Sequence, residues 1–260
     1  MTALVESLAY SLLRKFGTWR AFSTVSRARR AELNEHLLTI YHGRVQSGPF
    51  AGMELPIGTA WADGYRAPKL LGCYEADLHQ PVREILKRKP APVVNVGCAE
   101  GYYAVGLARL LPDATIFGFD INAQSAATCR QAAELNGVSK RIVLDGLCTA
   151  SMLAELLTHG ERPLVFMDIE GGERELLDPA RVPLLRSSDI IVEIHDFVDR
   201  SISATLLERF STSHAVELIV ESARNPNQFT QLQTWSELDR WLVVDEGRPV
   251  TMKWLVCWAK

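Results

Sequence analysis

Six ionisable side chains that follow two apolar runs could move a proton or bind a cation: Asp168, Glu170 and Glu173 after the first run, and Glu193, His195 and Asp196 at the end of the second. Histidine has an ordinary pKa of about 6.5, so His195 suits general-base catalysis near neutral pH. Asp168 and Glu170 are the candidate partners, although carboxylates there can also cap a helix that begins near Gly172. The spacing predicts a catalytic site formed by His195, Asp168 and Glu170.

A glycine turn in the stretch VVNVGCAEGYY, residues 93 to 103, predicts a ligand site. Gly97 and Gly101 follow an apolar strand, where glycine lets the backbone approach a ligand closely, and ligands bind at the carboxyl ends of strands in doubly wound sheets. The dinucleotide fingerprint needs glycine where Ala99 and Tyr102 stand, and Glu100 would repel a phosphate. The turn therefore favours a zwitterionic or cationic ligand.

Two further acidic residues end the next two apolar runs. Asp120 lies roughly 20 residues beyond the glycine turn, where an acidic side chain can accept hydrogen bonds from both hydroxyls of a ribose. Asp145, followed by Gly146, could meet an adenine amino group. Each has a structural alternative, because Asp120 could cap the next helix and Asp145 could stabilise a turn.

The elements that must position these side chains alternate between strands and helices, which predicts a mostly parallel sheet covered by helices. The predicted strands are Val93-Val96, Thr115-Phe119, Arg141-Leu144, Leu164-Met167, Ile190-Ile194, Ala215-Val220 and Met252-Trp258. The predicted helices between them are Tyr102-Leu111, Ala123-Leu135, Ser151-His159, Glu173-Leu177, Ala204-Phe210 and Trp235-Trp241. The fourth and fifth strands are expected to be neighbours, so their carboxyl ends would open onto one cleft.

The first ninety residues, roughly, have a different pattern. It predicts a helix from Ser26 to Ile40, a hairpin over residues 43–55 with Gly-Pro and Ala-Gly turns, and a helix over Glu75-Lys87. The segment Lys89-Pro90-Ala91-Pro92 then breaks the pattern. We therefore predict an N-terminal cap and lead-in over residues 1–88 and a ligand-binding sheet domain over residues 89–260.

Composition limits the function classes. The chain has 260 residues, 47% apolar and 23% charged, with a net charge of -3, so no overall field favours nucleic acid or an anionic membrane as partner. Its five cysteines include no Cys-x-x-Cys pair, which fits a reducing compartment. The N-terminal MTALVESLAYSLLRKF carries Glu6 early and its basic pair late, unlike a signal peptide. We expect a cytoplasmic protein with a small-molecule partner, whose oligomeric state the sequence leaves open.

Together, NVGCAEGYYAVGLA, GFDIN and ELNGV resemble the motifs of class I S-adenosylmethionine-dependent methyltransferases over about residues 70 to 260. PLVFMDIEGGERELL followed by IIVEIHDF, with GCYEADLH before the first strand, is similar to the FkbM-like group, whose members often methylate oxygen of sugars or secondary metabolites. Asn95 is a departure, because the family usually has Asp or Glu there.

The resemblance implies a seven-stranded Rossmann-like α/β methyltransferase sheet with helices on both faces and an N-terminal helical and hairpin cap. It implies O-methylation of a small molecule with His195 as general base. It also implies S-adenosyl-L-methionine bound by Glu75, Asn95, Gly97, Cys98, Ala99, Gly101, Tyr102, Asp120, Ile121, Asp145, Gly146 and Asp168.

Three alternatives remain open. Asp168, His195 and Asp196 are placed like the strand-end ligands of metal-dependent O-methyltransferases, in which a divalent ion orients the hydroxyl and lowers its pKa. Histidine suits magnesium poorly, so we favour the metal-free base. A non-catalytic binding protein could retain the same fold. A nicotinamide-dependent oxidoreductase is disfavoured by Ala99 and Tyr102.

Overall fold

The computed structural model describes residues 18–58 and 65–260. The stretch MTALVESLAYSLLRKF, on which the expectation of a cytoplasmic protein partly depends, lies outside these ranges. The α-helices of the described residues are α1 (Thr18–Tyr41), α2 (Arg66–Leu71), α3 (His79–Arg88), α4 (Tyr102–Leu110), α5 (Ala123–Leu135), α6 (Ala150–Leu156), α7 (Glu173–Leu176), α8 (Ile202–Phe210) and α9 (Glu237–Val244). None of these helices is long and apolar enough to cross a lipid bilayer.

The strands form one mixed sheet. They are β1 (Val93–Val96), β2 (Ile116–Phe119), β3 (Ile142–Asp145), β4 (Leu164–Met167), β5 (Asp189–Ile194), β6 (His214–Val220) and β7 (Lys253–Ala259). Their order is β3-β2-β1-β4-β5-β7-β6, and β7 runs antiparallel to both of its neighbours while the other pairs are parallel. The predicted seven-stranded Rossmann-like sheet is confirmed, with every strand boundary within one residue of its prediction.

The register places the carboxyl ends of four strands side by side. Val96 at the end of β1 pairs with Phe119 of β2 and with Met167 of β4, and Met167 pairs with Val192 of β5. The residues that follow these strands therefore meet at one edge of the sheet, as the sequence predicts for the fourth and fifth strands.

Alternating strand residues face two separate hydrophobic cores, because successive side chains of a strand point to opposite sides. Val93, Phe166 and Ile191 pack under α4 and α5, while Val94 and Met167 pack under α6 and α8. The strands β1, β4 and β5 are buried on both faces, which explains their nearly continuous apolar runs, whereas the edge strands β3 and β6 are partly exposed. The predicted helices on both faces are confirmed.

Local signals explain several helix ends. The Asn122 side chain accepts hydrogen bonds from the main-chain N–H groups of Gln124 and Ser125, so it caps α5. Gly137 follows that helix with a φ of 67°, a left-handed conformation that favours glycine. The helix predicted over Trp235-Trp241 begins later, at Glu237, because the Ser236 hydroxyl accepts from the N–H of Asp239.

The N-terminal elements share the hydrophobic core on the α4 side of the sheet. The predicted Ser26 to Ile40 helix lies inside α1, and the predicted Glu75-Lys87 helix is a short 3-10 turn, Ala76–Leu78, followed by α3. Residues 43–55 fold back with one antiparallel bridge, between Arg44 and Glu54, rather than as two extended strands. The boundary between residues 88 and 89 stays a prediction.

Candidate functional site

A cavity of about 270 Å³ lies at the carboxyl edge of the sheet. Nine of the predicted site residues line it: Glu75, Asn95, Gly97, Cys98, Ala99, Tyr102, Asp120, Asp168 and Glu170. The lining also contains Lys69, Tyr74, Glu100, Tyr103, Phe166, Met167, Glu193 and Trp254. Among these described residues six acidic side chains face one basic side chain, Lys69, so the cavity suits a cationic group better than a phosphate.

The glycine turn is shaped by protein packing as well as by the cavity. Gly97 has a φ of 77°, and a Cβ there would overlap the main-chain oxygen of Asp168. Gly101 has a φ of 90°, and its Cβ would lie 2.5 Å from the sulfur of Cys129 on α5. Gly97 lines the cavity whereas Gly101 does not. A larger residue at either position would therefore disturb the fold before it met a ligand.

Asp120 is held rigidly at the end of β2. Its Oδ2 accepts a hydrogen bond from the main-chain N–H of Ala99 at 2.8 Å, and its Oδ1 accepts one from that of Asn122 at 2.7 Å. Each carboxylate oxygen has two lone pairs, so both keep capacity for a ligand hydroxyl. The carboxylate also ties the glycine turn to β2, a structural role beside the predicted ribose contact.

Asn95 brings an unsatisfied polar atom to the cavity. The side chain is 2% exposed, and its Nδ2 donates to the main-chain oxygen of Phe166 at 3.3 Å. Its Oδ1 has no hydrogen-bond partner among the described residues. A buried acceptor without a donor costs free energy, so a ligand donor at this point would be stabilised.

Three non-glycine residues of the lining have left-handed backbone conformations: Glu75 with φ 45°, Ala99 with φ 45° and Glu170 with φ 59°. Such conformations cost about 1 to 3 kcal/mol each and concentrate at functional sites. The strain lies in the loops before α3, after β1 and after β4, and each of these loops contributes to the cavity wall.

Arg248 connects three buried carboxylates behind the cavity. Its guanidinium donates to Glu193 at 2.7 Å, to Glu75 at very short range and to Glu246 at 3.4 Å. The Tyr103 hydroxyl donates to the other oxygen of Glu75 at 2.5 Å. Glu75 is therefore held from both sides, and this ionic network fixes the acidic wall of the cavity.

His195 lies behind the cavity wall rather than in it. It is 2% exposed and its Nδ1 lies 2.6 Å from Oε1 of Glu173, which is fully buried. Its Nε2 lies 3.5 Å from Oδ1 of Asp168 and 3.6 Å from Oε2 of Glu193. Asp168 and Glu193 line the cavity, whereas His195 does not. The predicted histidine therefore reaches the cavity only through these carboxylates.

The charges of this cluster depend on one another. Burial lowers the pKa of His195, but the hydrogen bond to Glu173 and the charge of Asp168 outweigh it, so the pKa lies above its ordinary value of 6.5. Burial and the carboxylate of Glu75 raise the pKa of Asp168. Burial and the carboxylate of Asp168 raise the pKa of Glu193. Both carboxyl pKa values are therefore raised first by burial and second by repulsion from a neighbouring carboxylate.

Asp196 lies outside this cluster, so the predicted metal set needs a correction. Its Oδ1 accepts from the main-chain N–H of Ser203 at 3.0 Å, and its Oδ2 lies 3.5 Å from Nζ of Lys253. Glu193 takes its place beside Asp168 and His195. The reason is strand geometry, because His195 directly follows β5, two residues after Glu193, and side chains two residues apart point to the same face.

Three further predicted cofactor contacts, at Ile121, Asp145 and Gly146, lie outside the cavity lining. Ile121 is 82% exposed. Asp145 is exposed, and its Oδ1 accepts from the N–H of its neighbour Gly146 at 2.7 Å. Their cofactor roles stay predictions.

Sequence reasoning left several lining residues unassigned. Trp254 pairs with Glu193 in the β5–β7 register, a neighbour relation that needs the antiparallel alignment of β7. Tyr103 follows Tyr102 at the start of α4, and its ring lies 4.1 Å from that of Phe166. Lys69 is buried on α2 with its ammonium 4.6 Å from the Tyr74 ring. For Lys69 the sequence offers no usable signal.

No protein-family model matches the chain, and no curated protein matches it significantly. Solved structures that are similar include a putative O-methyltransferase from Klebsiella pneumoniae, 13% identical, covering 98% of this chain and 96% of that chain with a TM-score of 0.47. The O-methyltransferase TomG from Streptomyces achromogenes, in complex with SAM, is 14% identical over 74% of this chain and 83% of that chain, with a TM-score of 0.49.

An rRNA methylase from Streptococcus thermophilus is also similar, at 10% identity over 71% of this chain and 97% of that chain, with a TM-score of 0.47. Likeness at this level does not decide an activity. The function has to be argued from the cavity and its side chains.

Proposed function

We propose that this chain is an S-adenosylmethionine-dependent methyltransferase that methylates a hydroxyl of a small molecule, such as a sugar or secondary metabolite. The observation that carries the proposal is the position of Asp120, a rigidly held carboxylate at one end of a cavity whose other end is acidic. A ribose at Asp120 would direct a sulfonium toward Asp168 and Glu193. The FkbM-like subgroup rests on motif spacing alone.

The lining residues fit this cofactor. Asp120 offers acceptors to two ribose hydroxyls, and the unpartnered Oδ1 of Asn95 offers one to a nearby donor. Gly97 lines the cavity with main-chain atoms alone, and Glu100 disfavours a phosphate there. When bound, S-adenosylmethionine supplies an electrophilic methyl group on a sulfonium.

We assign the proton-accepting step to Asp168, because it lines the cavity and His195 does not. With S-adenosylmethionine bound as the methyl donor, the Asp168 carboxylate would accept the proton that the acceptor hydroxyl loses on methylation. His195, held by Glu173, stabilises the charge on Asp168 from behind. The remaining rate enhancement comes from holding acceptor and methyl group in line.

The test is calorimetric binding of S-adenosylhomocysteine, which needs no acceptor. We expect wild-type protein to bind it, and Asp120→Ala to weaken binding by about 1 to 3 kcal/mol, a factor of about 5 to 150, because hydrogen bonds to a charged group are lost. The matched control is Asp113→Ala, which removes an exposed carboxylate outside the cavity and should bind like wild type.

Two results would contradict the proposal. Wild-type protein that is folded but does not bind S-adenosylhomocysteine would favour a non-catalytic binding protein. Tighter binding of NADH than of S-adenosylhomocysteine would favour an oxidoreductase. Unchanged affinity in Asp120→Ala would leave Asp120 with only its structural role in the turn.

A further inference from the structure

Three donor atoms converge at the deep end of the cavity. They are Oδ1 of Asp168, Oε2 of Glu193 and Nε2 of His195, one atom from each residue, all within 4.8 Å of one another. Nε2 lies 3.5 Å and 3.6 Å from the two oxygens, which is too long for ordinary hydrogen bonds. His195 is 2% exposed, its Nδ1 is taken by Glu173, and its Nε2 faces the carboxylates of Asp168 and Glu193.

These separations are close to those between ligands of one metal ion. Nitrogen and oxygen ligands lie about 2.0 to 2.2 Å from a divalent metal, so two ligands are about 2.8 to 3.1 Å apart at octahedral angles and about 3.3 to 3.6 Å apart at tetrahedral angles. The observed 3.5 Å and 3.6 Å match the tetrahedral spacing, and an octahedral ion would draw the donor atoms together by about 0.5 Å.

The surrounding residues orient the donor atoms. Glu173 contacts Nδ1 of His195 at 2.6 Å, which turns Nε2 toward the two carboxylates, and a carboxylate behind the ring is the usual partner of a metal-binding histidine. Arg248 donates to Oε1 of Glu193 at 2.7 Å, leaving Oε2 directed at His195. Asp168 and Glu193 line the cavity, so the position is reachable from it.

We propose that Asp168, Glu193 and His195 form a binding site for one divalent transition-metal ion of the manganese class, beside the methyl-transfer position. An imidazole with two carboxylates suits Mn²⁺ or Fe²⁺ better than the all-oxygen sets of Mg²⁺ and Ca²⁺. The catalytic part of this inference rests on the proposed function: Asp168, Glu193 and His195 would hold the ion, which would supply Lewis-acid polarisation of the acceptor hydroxyl and so lower its pKa.

The experiment titrates MnCl₂ into the full chain after removal of metals with a chelator, and measures free Mn²⁺ by electron paramagnetic resonance. We expect one saturable site in the wild type. Glu193→Gln and His195→Gln should each abolish it, because each removes a ligand. Glu173→Gln should weaken it by about 10- to 100-fold, the usual effect of a residue that orients a metal ligand.

Asp196→Asn is the matched control, because Asp196 belongs to the set predicted from sequence but lies outside the cluster. It should bind Mn²⁺ like wild type. Wild-type protein without saturable binding would overturn the proposal, and so would a loss in Asp196→Asn with none in Glu193→Gln. Circular dichroism would verify that each variant is folded.

The cofactor assay separates the two proposals. Binding of S-adenosylhomocysteine in chelator without any Mn²⁺ binding would overturn the metal site and leave the proposed function standing. Saturable Mn²⁺ binding without cofactor binding would support the metal site and contradict the proposed function.

Discussion

Replacing Arg248 by methionine tests whether the ionic network behind the cavity is as strong as its geometry indicates. The side chain is 15% exposed and contacts Glu75, Glu193 and Glu246, each of which is 2 to 4% exposed. Methionine is similar in length but brings no charge and no donor. Removing one partner of a buried ion pair costs about 3 to 5 kcal/mol, because the other charge is left uncompensated.

Two features set where in that range the loss should fall. In Arg248→Met, Glu75 keeps the hydrogen bond from the Tyr103 hydroxyl, and Glu246 keeps its ion pair with Arg224 at 2.7 Å, so each carboxylate retains one partner. Glu193 has a raised pKa and can take up a proton. We therefore expect a loss of unfolding free energy of about 3 kcal/mol, at the lower end.

Urea unfolding at pH 7.5 measures this loss, with an unchanged slope showing that the transition is comparable. The control is Arg44→Met, which removes an exposed pair with Glu54 whose side chains are 61% and 42% exposed, and should cost less than about 1 kcal/mol. Adding Glu75→Gln to Arg248→Met should recover part of the loss, because one unpaired charge disappears. A loss in Arg248→Met no larger than that in Arg44→Met would refute the reasoning.

Two other predictions concern stability. Gly97→Ala should lower the unfolding temperature and weaken S-adenosylhomocysteine binding, because the added Cβ would overlap the main chain of Asp168. The control is Gly146→Ala, which should change stability little because no atom lies within 4 Å of its added Cβ. Equal stability of the two variants would contradict this prediction. Burial lowers the pKa of His214 in the folded protein, so as the pH falls this histidine takes up a proton in the unfolded chain before it does so in the folded one. The free energy of unfolding should therefore fall below about pH 6.5, by at most about 1.4 kcal/mol per pH unit. Urea midpoints at pH 7.5 and 5.5 should differ less in His214→Gln, and an equal difference would exclude this histidine as a cause.

The strands could be predicted because each is short, apolar and ended by a polar turn. Val93–Val96 and Leu164–Met167 are buried on both faces, so the hydrophobic effect alone marks them in the sequence. The position of Asp120 follows in turn, because the carboxyl ends of parallel strands meet at one edge of the sheet. This part of the site can be predicted from local sequence patterns and one rule of sheet topology.

The acidic end of the cavity could not be predicted in the same way. Every residue of β5 is buried, so burial alternation does not say which side chain faces the cavity. The alternation of side chains along a strand places Glu193 and His195 on one face and Asp196 on the other. This signal is present in the sequence. The contacts of Arg248 with Glu75 and Glu193 bring together the loop before β7, the loop before α3 and strand β5, and no spacing in the chain encodes them.

The cavity wall also bears on how the chain is divided. Glu75 comes from the lead-in before α3, Glu193 from β5, and Arg248 from the loop before β7, and the guanidinium joins the two carboxylates. Lys69 and Tyr74 add two further lining residues from the N-terminal part. The left-handed backbone of Glu75 costs energy that its contacts with Arg248 and Tyr103 offset. The site therefore needs both the N-terminal part and the sheet domain, wherever the boundary between them lies. Without residues 69–75, Arg248 would lose its partner Glu75, and the cavity would lose one wall.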